Sequence, residues 1–263
     1  MITLLSDFGL RDPYVAEMKA VISTISPTTR IIDITHSVEK FNIKLGAFLL
    51  ASASRYFPKG TIHVAVVDPS VGTKRQPLLI ETNNAYYIGP DNGVLTLAAV
   101  SEGIKHVYKI ANKKLMLPKV SSTFHGRDLF AAAAAHLAEG VEPSDFGPEL
   151  TKYEVPRFAK VSLKADKLHG EAVHIDDFGN IITNITKENL SQLGAKPKET
   201  LNVKLSSAAI NLPFCAAYGD VPTNRPLALI GSHDFLEIAV NQGNAARKLR
   251  IQVGQSITVS RQR

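Results

Sequence analysis

The chain has 263 residues, 44% hydrophobic and 21% charged, with one cysteine, Cys215, and no tryptophan. That balance excludes collagen-like, low-complexity and disordered chains, and the length suffices for one large core or two ordinary ones. The net charge of +6 is scattered in single residues and pairs such as Lys74-Arg75 and Lys113-Lys114. Nucleic-acid binders concentrate their positive charge, so a basic solvated surface is expected here, with no nucleic acid as partner.

The chain opens on the apolar run Ile2 to Leu5, which Ser6-Asp7 ends before it reaches signal-peptide length. No run approaches the roughly 20 apolar residues of a membrane span, and a lone cysteine forms no internal disulfide. A soluble, cytoplasmic protein without a membrane partner is expected.

Taken in chain order, Ile2 to Leu5 reads as a strand, and Pro13 sits at the start of a helix through Met18, Val21 and Ile22. Ile31 to Ile34 reads as a second strand. Phe41, Leu45, Phe48, Leu49, Ser52 and Tyr56 recur at helical spacing until Pro58-Lys59-Gly60 stops them. Thr61 to Val67, Leu78 to Ile80 and Tyr86 to Ile88 follow as strands, and the Ala-rich stretch Leu129 to Ala138 as a helix closed by Gly140. Apolar strands alternating with helices predict an α/β domain with a mostly parallel sheet, covered on both faces.

The texture changes near Pro156. Val161 to Leu163, Gly170 to Ile175, Ile181-Ile182, Leu201 to Leu205, Leu227 to Ile230, Leu236 to Val240 and Ile257 to Val259 are short strands, with helical patterns only at Lys187 to Leu193 and Ala245 to Leu249. Many short strands between Gly and Pro predict a small all-β barrel or sandwich. The expected domains are therefore 1–156 and 157–263.

Ligands of open α/β sheets bind beyond the carboxyl ends of the strands. Asp7 with Asp12, Asp68 with Arg75, and Asp91 with Asn92 all fall at such ends, and His125 precedes the Ala-rich helix. An aspartate after a strand is commonly a turn former or helix cap, and Pro90-Asp91-Asn92-Gly93 reads as a turn. Accumulation at one edge is what favours a site. The dinucleotide, P-loop, nucleophile-elbow and His-Glu-x-x-His patterns are missing, as are the kinase glycine-rich loop and Val-Ala-Ile-Lys strand that the Asp-Phe-Gly triplets at Asp7, Asp145 and Asp177 would need. Asp7, Asp12, Asp68 and His125 leave a shared metal open on these grounds.

An ordered series of motifs goes further. Ser6-Asp7-Phe8-Gly9-Leu10-Arg11-Asp12, Val67-Asp68-Pro69-Ser70-Val71-Gly72-Thr73-Lys74-Arg75, Gly89-Pro90-Asp91-Asn92-Gly93 and Thr123-Phe124-His125-Gly126-Arg127-Asp128 occupy the first part. Ile175-Asp176-Asp177-Phe178-Gly179-Asn180, Thr183-Asn184-Ile185 and Gly231-Ser232-His233-Asp234-Phe235-Leu236-Glu237-Ile238-Ala239 occupy the second. With this series the chain resembles the adenosine-forming S-adenosyl-L-methionine hydrolases, the SAM hydroxide adenosyltransferases, relatives of fluorinase and chlorinase.

The resemblance implies an α/β domain followed by a β-barrel, and a homotrimer whose sites lie between the N-terminal domain of one subunit and the C-terminal domain of the next. It implies that Asp68, Arg75 and His125 handle the attacking water. Asp7 would hold the ribose diol, and Asp12, Asp176 and Ser232 the amino and carboxylate groups of the methionine tail. Phe41, Phe178 and Tyr218 would wall the pocket, while Asn180 with the backbone near Val240 and Gln242 would meet adenine. It implies S-adenosyl-L-methionine as substrate, without cofactor or metal.

Those residue types suit the chemistry. Carboxylates match an ammonium and a diol, and aromatic rings match a purine and a sulfonium. Displacement at C5′ converts a cationic sulfonium into a neutral thioether, so the leaving group needs no acid, and water needs positioning and help in losing a proton. In fluorinase the position of Asp68 is a Tyr and that of Gly126 a halide-contacting Ser. A carboxylate beside a halide is repulsive, which points to the water-using branch. Ser70 stands where relatives commonly have Gly, and His233 where fluorinase has Arg. Two other readings remain open on sequence: a metal-dependent phosphoesterase built on Asp7, Asp12, Asp68 and His125, and a non-catalytic protein binding an adenosyl ligand.

Overall fold

The computed structural model describes residues 1–205 and 209–262, and the chain divides into two compact units, Met1–Pro156 and Arg157–Arg263.

The first unit is an α/β domain. Its elements are β1 (Ile2–Ser6), α1 (Tyr14–Ile25), β2 (Ile31–Thr35), α2 (Ile43–Ser54), β3 (Ile62–Val66), β4 (Pro77–Thr82), β5 (Tyr86–Pro90), α3 (Thr96–Glu102) and β6 (Ile104–Lys109). A π-helical turn, Gly126–Ala131, then runs into α4 (Ala132–Ala138). The strands form one six-stranded sheet in the order β2-β1-β3-β5-β4-β6. The pairings β1–β2, β1–β3 and β3–β5 are parallel, whereas β4 runs antiparallel to both neighbours. The cause is local: β4 and β5 are joined by the short turn Asn83-Asn84-Ala85, which permits only a hairpin. β6 and α3 carry weaker patterns, and reading the sequence by periodicity passes over both.

Every residue of β1 and β3 is buried, as expected for strands covered on both faces. Ile2, Leu4, Ile62 and Val64 pack with Met18 and Ile22 of α1 and with Phe130 and the alanines of α4. The run of alanines lets α4 approach closely, and α2 pairs with α3 elsewhere in the unit. The parallel strands β1, β3 and β5 thus share a carboxyl edge, from which Asp7, Asp68 and Asp91 emerge.

The second unit is a closed barrel. It contains β7 (Ser162–Lys164), β8 (Lys167–Ile175), β9 (Ile181–Thr186), α5 (Lys187–Gln192), β10 (Thr200–Lys204), β11 (Ala209–Cys215), β12 (Pro226–Ile230), β13 (Phe235–Val240), α6 (Ala245–Leu249) and β14 (Ser256–Arg261). Seven strands run in the ring β14-β10-β11-β12-β13-β9-β8, which the β14–β8 pairing closes, and β7 lies outside on β8. Closure removes the exposed edges that short strands would otherwise present. Alternate residues fill the interior: Leu201 and Val203, Leu212 and Phe214, Leu236, Ile238 and Val240, Ile257 and Val259. β11 is the strand that the sequence hides, because Ala209, Asn211 and Pro213 dilute its pattern. Among the described residues no helix is long and apolar enough to cross a membrane.

Candidate functional site

Three of the expected residues meet in the first unit. Asp68 follows β3, Arg75 lies in the turn before β4, and His125 precedes the π-helical turn. Asn92 donates from Nδ2 to the Val67 carbonyl at 2.9 Å, fixing the strand exit from which Asp68 projects. Gly72 sits at φ +78° with its Cα against the Ser122 carbonyl, where a Cβ would approach to 2.4 Å. That contact brings the Arg75 turn and the His125 segment together.

Arg75 is the hinge of the cluster. Its Nε donates to Asp68 Oδ2 at 2.9 Å and to Oδ1 at 3.1 Å, and its Nη2 donates to Oδ2 as well. The same Nη2 lies 2.7 Å from His125 Nδ1. A guanidinium has only donors, so His125 Nδ1 is the acceptor and the neutral ring carries its proton on Nε2. Burial and the Arg75 charge hold the His125 pKa below its ordinary value. The Arg75 and Asp68 side chains are only 7% and 4% exposed, and the guanidinium lies 5.4 Å from the centre of the Phe130 ring. A buried pair of this kind is held by its geometry, and removing either partner leaves an uncompensated charge.

Asp7 is buried at the end of β1. Its Oδ2 accepts the Phe41 N–H at 2.9 Å, and its carbonyl accepts from Lys40 Nζ. Phe41 is held at φ +66° with its ring 68% exposed. A bulky side chain in the left-handed region costs energy that the surrounding contacts must offset, a pattern concentrated at binding sites. Asp12 is exposed, and the start of α1 has no side-chain cap, so Asp12 does not serve the helix. Asp91 does serve the fold: its Oδ1 accepts the Glu154 N–H at 2.7 Å, and burial raises its pKa. Phe8, Tyr14 and Phe124 pack edge to face with centroids 5.1–5.9 Å apart.

In the second unit Asp176, Phe178, Asn180, Tyr218, Val240 and Gln242 line one cavity of about 690 Å³. The turn that carries the first three is built by Asp176, whose two oxygens accept from the Asn180 N–H at 2.8 Å and from Asn180 Nδ2 at 2.9 Å. Gly179 at φ +85° lies against the Asn244 side chain, which leaves no room for a Cβ. Phe178, beside it, is 80% exposed. Gln242 has φ +52°. Ser232 stands apart from this set and lines a separate groove of about 400 Å³ with Lys187, Cys215 and Asp234.

Glu237 lies within the Gly231–Ala239 motif, and the resemblance gives it no role. It is buried and accepts from Tyr218 Oη at 2.7 Å. The signal was present: a glutamate inside Phe235-Leu236-Glu237-Ile238-Ala239-Val240 is a charge in a strand that is otherwise apolar. Among the described residues no three His, Cys, Asp or Glu side chains are grouped to hold a metal ion, so Asp7, Asp12, Asp68 and His125 do not form a ligand set.

Comparison with known proteins covers both units. Residues 2–147 match the family described as the SAM hydroxide adenosyltransferase N-terminal domain, and residues 170–258 match its C-terminal domain. The chain is 37% identical to an (R)-S-adenosyl-L-methionine hydrolase of Methanocaldococcus jannaschii, across 98% of this chain and 95% of that protein. It is 27% identical to a fluorinase of Actinoplanes sp., across 99% and 97% of the two chains. The crystal structure of an uncharacterized conserved protein from Thermotoga maritima is similar over 99% of this chain and 100% of that one, with a TM-score of 0.86 and 39% identity.

Proposed function

This chain belongs to the SAM hydroxide adenosyltransferase family, and on that premise we propose that it hydrolyses S-adenosyl-L-methionine to adenosine and L-methionine. The observation that carries the reading is the buried cluster in which one guanidinium holds both a carboxylate and a neutral imidazole. Arg75 occupies His125 Nδ1, so the neutral ring has no acceptor left for water. Asp68 is then the group that takes the proton. Water attacks C5′ in line with the C–S bond, the bonding pair leaves with sulfur as a neutral thioether, and the proton passes to the Asp68 carboxylate and on to solvent. In this reading residues of both units hold the ligand: Asp7 the diol; Asp12, Asp176 and Ser232 the tail; Phe41, Phe178 and Tyr218 the rings; and Asn180, Val240 and Gln242 the purine, with Asp176, Phe178, Asn180, Tyr218, Val240 and Gln242 supplied by the 690 Å³ cavity and Ser232 by its separate groove.

Gly126 supports water over halide. A Cβ there would come within 3.1–3.3 Å of Phe124, Met18 and Phe8, so a seryl group has little room. The relatives named for the (R) form lead us to extend the proposal to the R sulfonium epimer as preferred substrate. The reaction as written uses no metal or other cofactor. A reducing cytoplasm suits the free Cys215.

Incubating the pure protein with an epimeric mixture of S-adenosyl-L-methionine in H₂¹⁸O tests the reading. Adenosine labelled at its 5′ oxygen, with the R epimer consumed first, is the expected result. Unlabelled adenosine, or activity that EDTA abolishes and a divalent metal restores, would overturn the metal-free displacement. Intact ligand recovered after binding would make the protein a binder only.

Assembly is the last part of the proposal: a homotrimer in which the trio of one subunit works with the cavity of its neighbour. The exposed rings of Phe41 and Phe178 support it, since apolar groups of this size are normally covered when a site is complete. Co-expressing Asp68→Asn with Asp176→Ala should restore part of the activity in verified mixed oligomers, and no rescue would place the whole site in one chain.

A further inference from the structure

Along β13, Leu236, Ile238 and Val240 point into the barrel core, so Glu237 points to the outer face. There it stands in register with Leu229 of β12 and Ile182 of β9. Leu227, Leu229 and Ala239 on that face are covered by Val221 and Cys215, and Glu237 itself is buried. A buried carboxylate is costly without a partner, and its partner here is the Tyr218 hydroxyl at 2.7 Å. Gly231 makes the space, because a Cβ at that position would lie 2.7 Å from Glu237 Oε2. The loop bearing Tyr218 does not depend on this bond for its backbone. Asn241 Nδ2 donates to the Val221 carbonyl at 2.7 Å, and the Asn224 N–H donates to the Asn241 carbonyl at 2.8 Å. The Glu237–Tyr218 bond therefore serves the side chain that lines the cavity.

A phenol has one proton and two acceptor lone pairs. We infer that Glu237 is a positioning residue: by taking the only proton of Tyr218 it makes that hydroxyl an acceptor toward the ligand, and so selects a hydrogen-bond-donating cationic group. Asp176 on the same cavity adds a second negative charge, and resting on the function proposed above, the group so selected is the α-ammonium of the methionine tail. Burial, with the Asp176 charge added, pushes the Glu237 carboxyl upward, and burial with the Glu237 bond does the same to the Tyr218 hydroxyl.

The test compares a ligand that has the tail with one that lacks it. S-adenosyl-L-homocysteine, which is not a sulfonium, and adenosine are titrated calorimetrically into wild type, Glu237→Leu, Tyr218→Phe and the double variant, alongside KM and kcat for S-adenosyl-L-methionine; leucine is chosen because it offers the phenol proton no acceptor. Each single variant should weaken the tailed ligand roughly ten-fold, as loss of a hydrogen bond to a charged group does, and raise KM with kcat nearly unchanged. Adenosine affinity should stay at the wild-type value, and the double variant should be no worse than Tyr218→Phe. Unchanged affinity for the tailed ligand in Glu237→Leu, equal losses for both ligands, or additive losses in the double variant would each overturn the assignment while leaving the hydrolase reading in place. Wild-type protein that binds neither ligand would overturn both.

Discussion

The two units carry their polar groups in opposite ways. In the α/β unit, Asp68, Arg75 and His125 are already bonded to one another, with the ion pair almost wholly buried. In the barrel unit, the cavity walls include a phenyl ring that is 80% exposed and two turns built around positive-φ residues, Gly179 and Gln242. A cluster that is complete before any ligand arrives suits groups that must meet water in a set orientation. A cavity that leaves its aromatic wall open suits a binding surface that gains its burial from the ligand. The difference separates rate from affinity.

The largest effect is expected in the trio. Asp68→Asn removes the proposed proton acceptor while keeping the shape that Arg75 grips, and should lower kcat by roughly 10²–10⁴-fold with little change in KM. Steady-state kinetics would show the opposite split if Asp68 only held the ligand.

The pH profile comes next. Burial and Arg75 hold the His125 pKa below its ordinary value, so the neutral ring persists into mildly acid solution. Protonation at Nδ1 breaks the bond from Arg75. Activity should therefore stay level through neutral pH and fall on an acid limb below the ordinary histidine value of about 6.5. A limb above that value in a kcat/KM profile would contradict the assigned tautomer.

Phe178→Ala should raise KM about ten-fold, because the ring it removes stands open in its own unit to cover the ligand. An unchanged KM in steady-state kinetics would mean that the ring does not hold the ligand.

Gly126→Ser is the smallest change. Crowding of Phe124, Met18 and Phe8 at 3.1–3.3 Å should cost about 1 kcal/mol of stability, read by chemical denaturation. No halide-dependent turnover should appear if, as proposed, the Asp68 carboxylate faces the attacking group.

Much of this protein is legible in its sequence. Apolar runs of period two, or unbroken, mark β1, β3 and the barrel strands other than β11, because a covered sheet and a closed barrel each leave a plain hydrophobic record. The ordered motifs identify the family, and they include every residue of the trio. Where the sequence is silent, the reason is that the deciding contact is distant along the chain. Asp91 and Asp68 look alike after their strands, yet Glu154 engages one and Arg75 the other. Asp12 looks like a helix cap and caps nothing, because Pro13 itself takes the cap position before Tyr14 and leaves Asp12 one residue outside. The ring proton of His125 is placed by a guanidinium 50 residues away. Ser232 stands in a motif that the resemblance assigns to the tail, but it lines a groove apart from the main cavity.

Glu237 shows the division most plainly. Sequence alone determines that a charge interrupts an apolar strand. Only the barrel decides which face it occupies, that Gly231 leaves it space, and that Tyr218 spends its single proton there. Hydrophobic pattern is a local property, written in consecutive residues, whereas a hydrogen bond between side chains depends on distances that exist only once the strands have closed.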